Sequence, residues 1–160
     1  MQHVSKEIHI NASKDKVWAA LADLGSVQNF HPGVKKSYYT STEKAGIGAA
    51  RVCELLPQGA IEERATEWQT GERFVLEVLP LEQGPPFENA YGHVSVKEDD
   101  QGTLVTYGID FDLQAGVPID AATVKAQIEM LIPVVLANLK QYVETGKILT
   151  LEEKMAAATR

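Results

Sequence analysis

Glu63 is the residue best placed for chemistry, because a period-2 pattern sets its carboxyl among apolar side chains. In the segment Ala60–Trp68, Ile61, Glu63 and Ala65 share one face, and Glu62, Arg64 and Thr66 take the other. Ile61 and Ala65 belong in a core, so Glu63 carries a carboxyl inward, where leaving it unpaired costs several kcal/mol. Such a group is a pocket acid or base, an acceptor for a ligand hydroxyl, or half of a structural ion pair. Arg51 is the available partner. It shares a face with Ala49, Cys53 and Leu55 on the preceding segment, where it either grips a ligand carboxylate bidentately or neutralises Glu63. His31, in the corner Phe30-His31-Pro32-Gly33, has an ordinary pKa of about 6.5, suited to proton transfer near neutrality, although a surface loop histidine fits the corner as well. Tyr91 and His93 fall on one face of a later segment and Tyr107 lies on another. Their rings make broad pocket walls with polar tips, or else plain core. Glu63 and His31 are therefore the candidate catalytic groups.

Other chemistries lack their residues. Histidines stand at 3, 9, 31 and 93 with no H-x-x-x-H or C-x-x-C spacing, so no metal site is expected. Gly46-Ile47-Gly48 leads into a strand pattern without a third glycine, which excludes a dinucleotide loop. No G-x-S-x-G elbow occurs. Cys53, the sole cysteine, cannot form an intramolecular disulfide and reads as inert core.

The scaffold is one domain, 1–160. Its 160 residues, 44% apolar and 23% charged, are enough for a single core with a cavity in it. A net charge of −7 leaves no basic stripe for phosphates, so no nucleic-acid partner is expected, and anionic membrane surfaces are disfavoured. The longest uninterrupted apolar run, Met130–Ala137, is far short of the ~20 residues that span a bilayer, so no integral membrane segment is expected. Met1–Glu7 has neither a basic n-region nor an apolar h-region, which points to a cytoplasmic protein.

The elements that position these residues follow from periodicity. Val4, Ile8 and Ile10 predict a strand ending at Asn11; Ser13 caps a helix carrying Val17, Trp18, Leu21 and Leu24, with Gly25 as its stop and a short helix-to-strand corner after it. Strands are predicted over Val34–Thr42, Ala49–Leu56, Ala60–Trp68, Phe74–Leu79, Glu88–Lys97 and Thr103–Leu113, separated by Gly, Pro and Asp turn material. Asp120 caps a long helix, about Ala121–Glu144, with Val124, Ile128, Leu131, Ile132, Val135, Leu139 and Tyr142 as its apolar stripe and Gly146 as its stop. Pro133 is expected to kink it and widen any pocket beneath. Leu151–Arg160, weakly periodic, reads as a frayed extra turn. The fold class is α+β: a curved seven-stranded antiparallel sheet wrapped around a long C-terminal helix, with two short helices after the first strand. A sheet and one helix do not fill the space between them, and such gaps hold apolar pockets. Ile128, Leu131, Ile132 and Val135 are the helix residues expected to line this one.

The stretch from Ile8-His9-Ile10-Asn11-Ala12-Ser13 to Lys16-Val17-Trp18-Ala19-Ala20-Leu21-Ala22-Asp23 resembles the opening of the START/Bet v 1-like helix-grip superfamily, in its polyketide cyclase/dehydrase-like branch. Phe30-His31-Pro32-Gly33-Val34 is similar to that branch's corner. Gly48-Ala49-Ala50-Arg51 followed by Gly59-Ala60-Ile61-Glu62-Glu63-Arg64 is similar to its central hairpin. Tyr91 falls where many members carry an aromatic, and Tyr107 stands where the pattern usually has Trp. The resemblance covers about Ser5 to Val143 and implies the helix-grip fold. It also implies a cavity binding a small hydrophobic molecule (lipid-, polyketide- or aromatic-like), as a monomer or homodimer. The alternatives are a cyclase or dehydratase, in which Glu63 or His31 takes a proton alpha to a carbonyl while Tyr91 or Arg51 stabilises the enolate, and a protein-interaction module. No cofactor is implied by either of the first two.

Overall fold

A single antiparallel sheet runs through the molecule, its strands ordered β1-β7-β6-β5-β4-β3-β2 with β1 Gln2–Ile10, β2 Val34–Tyr39, β3 Ala50–Leu55, β4 Ala60–Gln69, β5 Arg73–Pro80, β6 Phe87–Asp99 and β7 Gly102–Leu113. The computed structural model describes residues 1–158. All sequential strands after β2 pair as hairpins, and β1 closes against β7, the last strand, which brings the two ends of the chain's β region to one edge. Bulges at Val34/Lys36, Ala65/Glu67 and Phe87/Asn89 bend the sheet.

α1 (Lys14–Ala22) begins where the Ser13 hydroxyl accepts from Lys16 N, and a 3-10 helix over Leu24–Asn29 leads from it into β2. α2 (Ala121–Thr145) is capped by Asp120, whose carboxylate accepts from Thr123 N at 2.7 Å, and it ends at Gly146 in the left-handed region, φ 79°. It packs Val124, Ile128, Ile132, Val135, Leu136, Leu139 and Val143 into the concave face of the sheet. By length and hydropathy α2 could cross a membrane, but its inward face is the core of the sheet.

Two expectations about the elements need correcting, the place of Leu131 in the stripe and the form of the tail. Leu131 sits at the edge of the buried stripe and is exposed, whereas Leu136, left out of the predicted stripe, is buried at its centre. α2 runs as one element through Pro133, which lies on its exposed side, where the missing N–H leaves only one intrahelical bond unmade. The tail is not a frayed turn: it forms α3 (Leu151–Ala158), opened by a capping box in which Thr150 Oγ1 accepts from Glu153 N and Glu153 Oε1 accepts from Thr150 N, both at 3.1 Å. Thr159 and Arg160 lie outside the described residues.

Ile132 is fully buried on α2, so Ile132→Ala is expected to cost about 2–5 kcal/mol of stability. Asp120→Ala, which removes only a cap, is expected to cost about 1 kcal/mol. Urea unfolding curves with unchanged slope check both.

Candidate functional site

Strand alternation decides which candidates meet. On β3 and β4, Arg51 and Glu63 are directly paired across the ladder and both face the concave side, each 8% exposed. Arg51 donates from Nε to Glu63 Oε1 at 3.0 Å, and its Nη2 stands 3.0 Å from the same oxygen. Arg51 Nη1 donates to Leu24 O, tying the 3-10 helix to the sheet. Cys53, two residues along β3, points its thiol at Oε1 from 3.6 Å. Burial opposes the guanidinium's charge, but the Glu63 carboxylate outweighs it and holds the Arg51 pKa above its ordinary value. The same burial pushes the Cys53 thiol up to about 12, so it stays protonated and inert.

Glu63 Oε2 is left out of this network: among the described residues, every hydrogen bond to the carboxylate falls on Oε1. It faces Gly92 on β6, where a Cβ would stand 3.9 Å away. Here lies a partly open cavity of about 30 Å³, bounded by the ion pair, Phe74, Leu76, Val94 and Val105 on the sheet, Val135, Leu136 and Leu139 on α2, and Leu21, Val27, Phe30 and His31 from the helical corner. Tyr107 completes the wall; burial, reinforced by the nearby Glu63 charge, raises its phenol pKa, and its hydroxyl has no hydrogen-bond partner among the described residues. That volume admits a water or two and nothing larger.

His31 reaches the cavity from the corner. Its Nδ1 accepts the Gly33 N–H at 3.0 Å, so the neutral ring carries its proton on Nε2. Burial, together with the charges of Arg51 and Lys154, pulls its pKa down to about 4. At neutral pH the ring is therefore uncharged, with its N–H on Nε2.

The remaining candidates separate from this group. Tyr91 and His93 point to the convex face, because Ala90, Gly92, Val94 and Val96 take the inward positions of β6. They line a surface hollow with Thr66, Glu67, Arg73, Val75 and Asp110; His93 Nε2 is 3.5 Å from Asp110, which also binds His3 Nδ1 at 2.7 Å. Gly108 on β7 makes room for the His93 ring, since a Cβ there would fall 2.2 Å from it. Ile128 and Ile132 are buried core outside the cavity lining, and exposed Leu131 is outside it too; of the four helix residues expected there, Val135 alone lines it. Leu136, Leu139 and Gly92 were missed. A glycine inside a strand is itself a signal of close approach, and Gly92 was the legible one.

A curved antiparallel sheet closed by one long helix, with a cavity between them, defines the helix-grip class. The chain belongs to the family described as "Polyketide cyclase / dehydrase and lipid transport", whose model matches residues 1–144. Solved structures share the fold at low identity. The protein XoxI from Bacillus cereus is 19% identical, with a TM-score of 0.76 over 91% of this chain and 97% of that one. A START superfamily protein from Mycobacterium smegmatis is 14% identical, with a TM-score of 0.75 over 91% and 99%. The Zhui aromatase/cyclase from Streptomyces sp. R1128 is 15% identical, with a TM-score of 0.69 over 92% and 99%. No curated protein matches the sequence.

Two tests follow from the site's electrostatics. Arg51→Met strands a buried carboxylate and is expected to cost about 3–5 kcal/mol, while the double variant with Glu63→Leu recovers most of the loss; urea unfolding of both variants reads this directly, and additive losses would contradict it. His31 has a folded-state pKa near 4 against an ordinary 6.5, so below 6.5 the unfolded chain binds more protons. Its stabilisation is complete above pH 6.5 and is lost as pH falls toward 4, by roughly 3 kcal/mol at most. Unfolding midpoints of wild type across that window are expected to fall more steeply than those of His31→Gln.

Proposed function

We propose that this protein binds a small, neutral, hydrophobic molecule bearing a hydroxyl or N–H donor in the cavity between sheet and α2. One observation carries the reading: Arg51 is committed to Glu63 Oε1, while Oε2 faces the cavity beside Gly92. The pair brings no net charge to the wall, so a carboxylate ligand would bury an uncompensated negative charge there, and a neutral ligand would not. Oε2 is an acceptor for the ligand's donor. Tyr107 Oη and His31 Nε2 are donors for a ligand carbonyl or ether, and the apolar side chains from β5, β6, β7 and α2 supply the rest of the contact. Binding requires the walls to move apart, because the cavity is far smaller than any such ligand.

Catalysis of the cyclase or dehydratase type asks for a base. Glu63 is engaged by Arg51 and Cys53, and His31 already holds its proton on Nε2, so the groups present are suited to holding a ligand rather than deprotonating it. An interaction module is the second reading, favoured by one feature: Met130 and Val134 form an exposed apolar pair one turn apart on the outer side of α2.

Thermal unfolding against paired neutral and carboxylated aromatics, such as naphthols and naphthoates, separates these readings. A ligand at about 100 times its Kd adds ~2.7 kcal/mol, or roughly 5–10 °C at this size. Shifts are expected from the neutral members only. They should shrink in Glu63→Gln and in Gly92→Ala, whose added methyl enters the cavity at ordinary contact distance with little effect on the unliganded fold. Shifts indifferent to both substitutions would remove Glu63 from the site, and none from any compound would favour the interaction module.

A further inference from the structure

α3 lies beyond the family-matched residues 1–144, yet it is fastened to the wall of the cavity. Lys154 donates from Nζ to the carbonyls of Gln28 and, at 2.8 Å, of Val34, the two ends of the corner that carries Phe30 and His31. Leu149 N donates to Asn29 O at 2.9 Å within the same corner. Every one of these bonds runs from the tail to a corner carbonyl.

The adhesion of α3 is unusual in kind. Its buried side chain is Lys154, 4% exposed, while Leu151 and Met155 face solvent. An amphipathic helix docks through its apolar side and gains from burial; this one docks through an ammonium that has left water for two carbonyl oxygens, with no carboxylate bonded to it among the described residues. Desolvation correspondingly lowers the Lys154 pKa. Charge-assisted bonds offset that cost locally, but little apolar area holds the helix down, which places it among the segments that open at low free energy.

The other cavity walls have more to lose by moving. β3 to β7 are each bonded on both sides, and α2 buries seven side chains. Leu21, Val27, Phe30 and His31 supply the remaining wall. The part over 28–34 buries only Phe30, stacked on Tyr142, and Val34. Its other ties are polar: Gln28 with Ser37, Asn29 Nδ2 to Tyr142 Oη, and the bonds from the tail. We infer that α3 is a strap over the ligand cavity and that Lys154 is its latch: a ligand reaches Glu63 when α3 lifts and the corner 28–34 swings out. This rests on the cavity-binding reading.

The test uses the full chain with Lys154→Met, which keeps the stem and removes the ammonium, beside Lys154→Arg, which keeps a charged donor. Amide hydrogen exchange at 28–34 reads the corner, and stopped-flow fluorescence of the neutral dye N-phenyl-1-naphthylamine reads access. In Lys154→Met the corner amides are expected to exchange faster. Dye association and dissociation should both accelerate by about 10-fold, with Kd changed less than about 3-fold, and Lys154→Arg should stay close to wild type. Faster corner exchange with unchanged dye rates would overturn the strap, as would unchanged corner exchange. If neither wild type nor variant takes up dye, the cavity reading itself fails and the strap falls with it.

Discussion

The ion pair between Arg51 and Glu63 is the interaction on which the interior depends. Two neighbouring strands each turn a charged side chain into a space lined by valine, leucine and phenylalanine, and either charge alone would be prohibitive there. Because the two residues are direct partners in the β3–β4 ladder, they meet without distorting the sheet. The guanidinium has donors left over, and one of them holds the Leu24 carbonyl, so the pair also anchors the helical corner to the sheet. A hydrophobic replacement would be at least as stable by general experience. On the proposed reading the pair gives the cavity a fixed acceptor, Oε2, in an apolar wall with no net charge.

That constraint shapes what the cavity can hold. On the proposed reading its polar atoms would orient a neutral guest: an acceptor at Glu63, a donor at His31 whose Nδ1 takes the Gly33 N–H, and the Tyr107 hydroxyl. The apolar side chains leave only about 30 Å³ of that space unfilled. Under the same proposed reading, stability and binding compete for the same wall. The wall proposed to yield is the corner, whose buried Phe30 and Val34 pack into the core while the lysine of the tail holds its two end carbonyls.

Much of this was legible in the sequence. The strand and helix patterns, the caps at Ser13 and Asp120 and the stop at Gly146 fall within a few residues of the observed elements, because they rest on local backbone chemistry. Alternation placed Glu63 and Arg51 on the inward face, and their pairing was one of the stated alternatives. On β6 the expectation followed Tyr91 and His93 rather than the small apolar set Ala90, Gly92, Val94 and Val96, which is the inward face. Bulky rings suggested the pocket, but the concave side is crowded and takes the small residues. On α2 the apolar residues cover more than half the circumference, so the centre of the stripe could shift by one position and leave Leu131 outside. The tail was misjudged because its hydrophobic periodicity is weak. Thr150-Leu151-Glu152-Glu153 was the capping signal that marked a helix there, and a lysine as the buried contact is something no periodicity would propose.

The most direct test of the account follows the methyl groups of the cavity wall by NMR during titration with 2-naphthol and, separately, 2-naphthoate. The account expects 2-naphthol to shift Leu76, Val94, Val105, Val135, Leu136 and Leu139 together, and 2-naphthoate to leave them in place. Preference for the carboxylate, or shifts confined to outward-facing methyls such as Val134 and Met130, would contradict it.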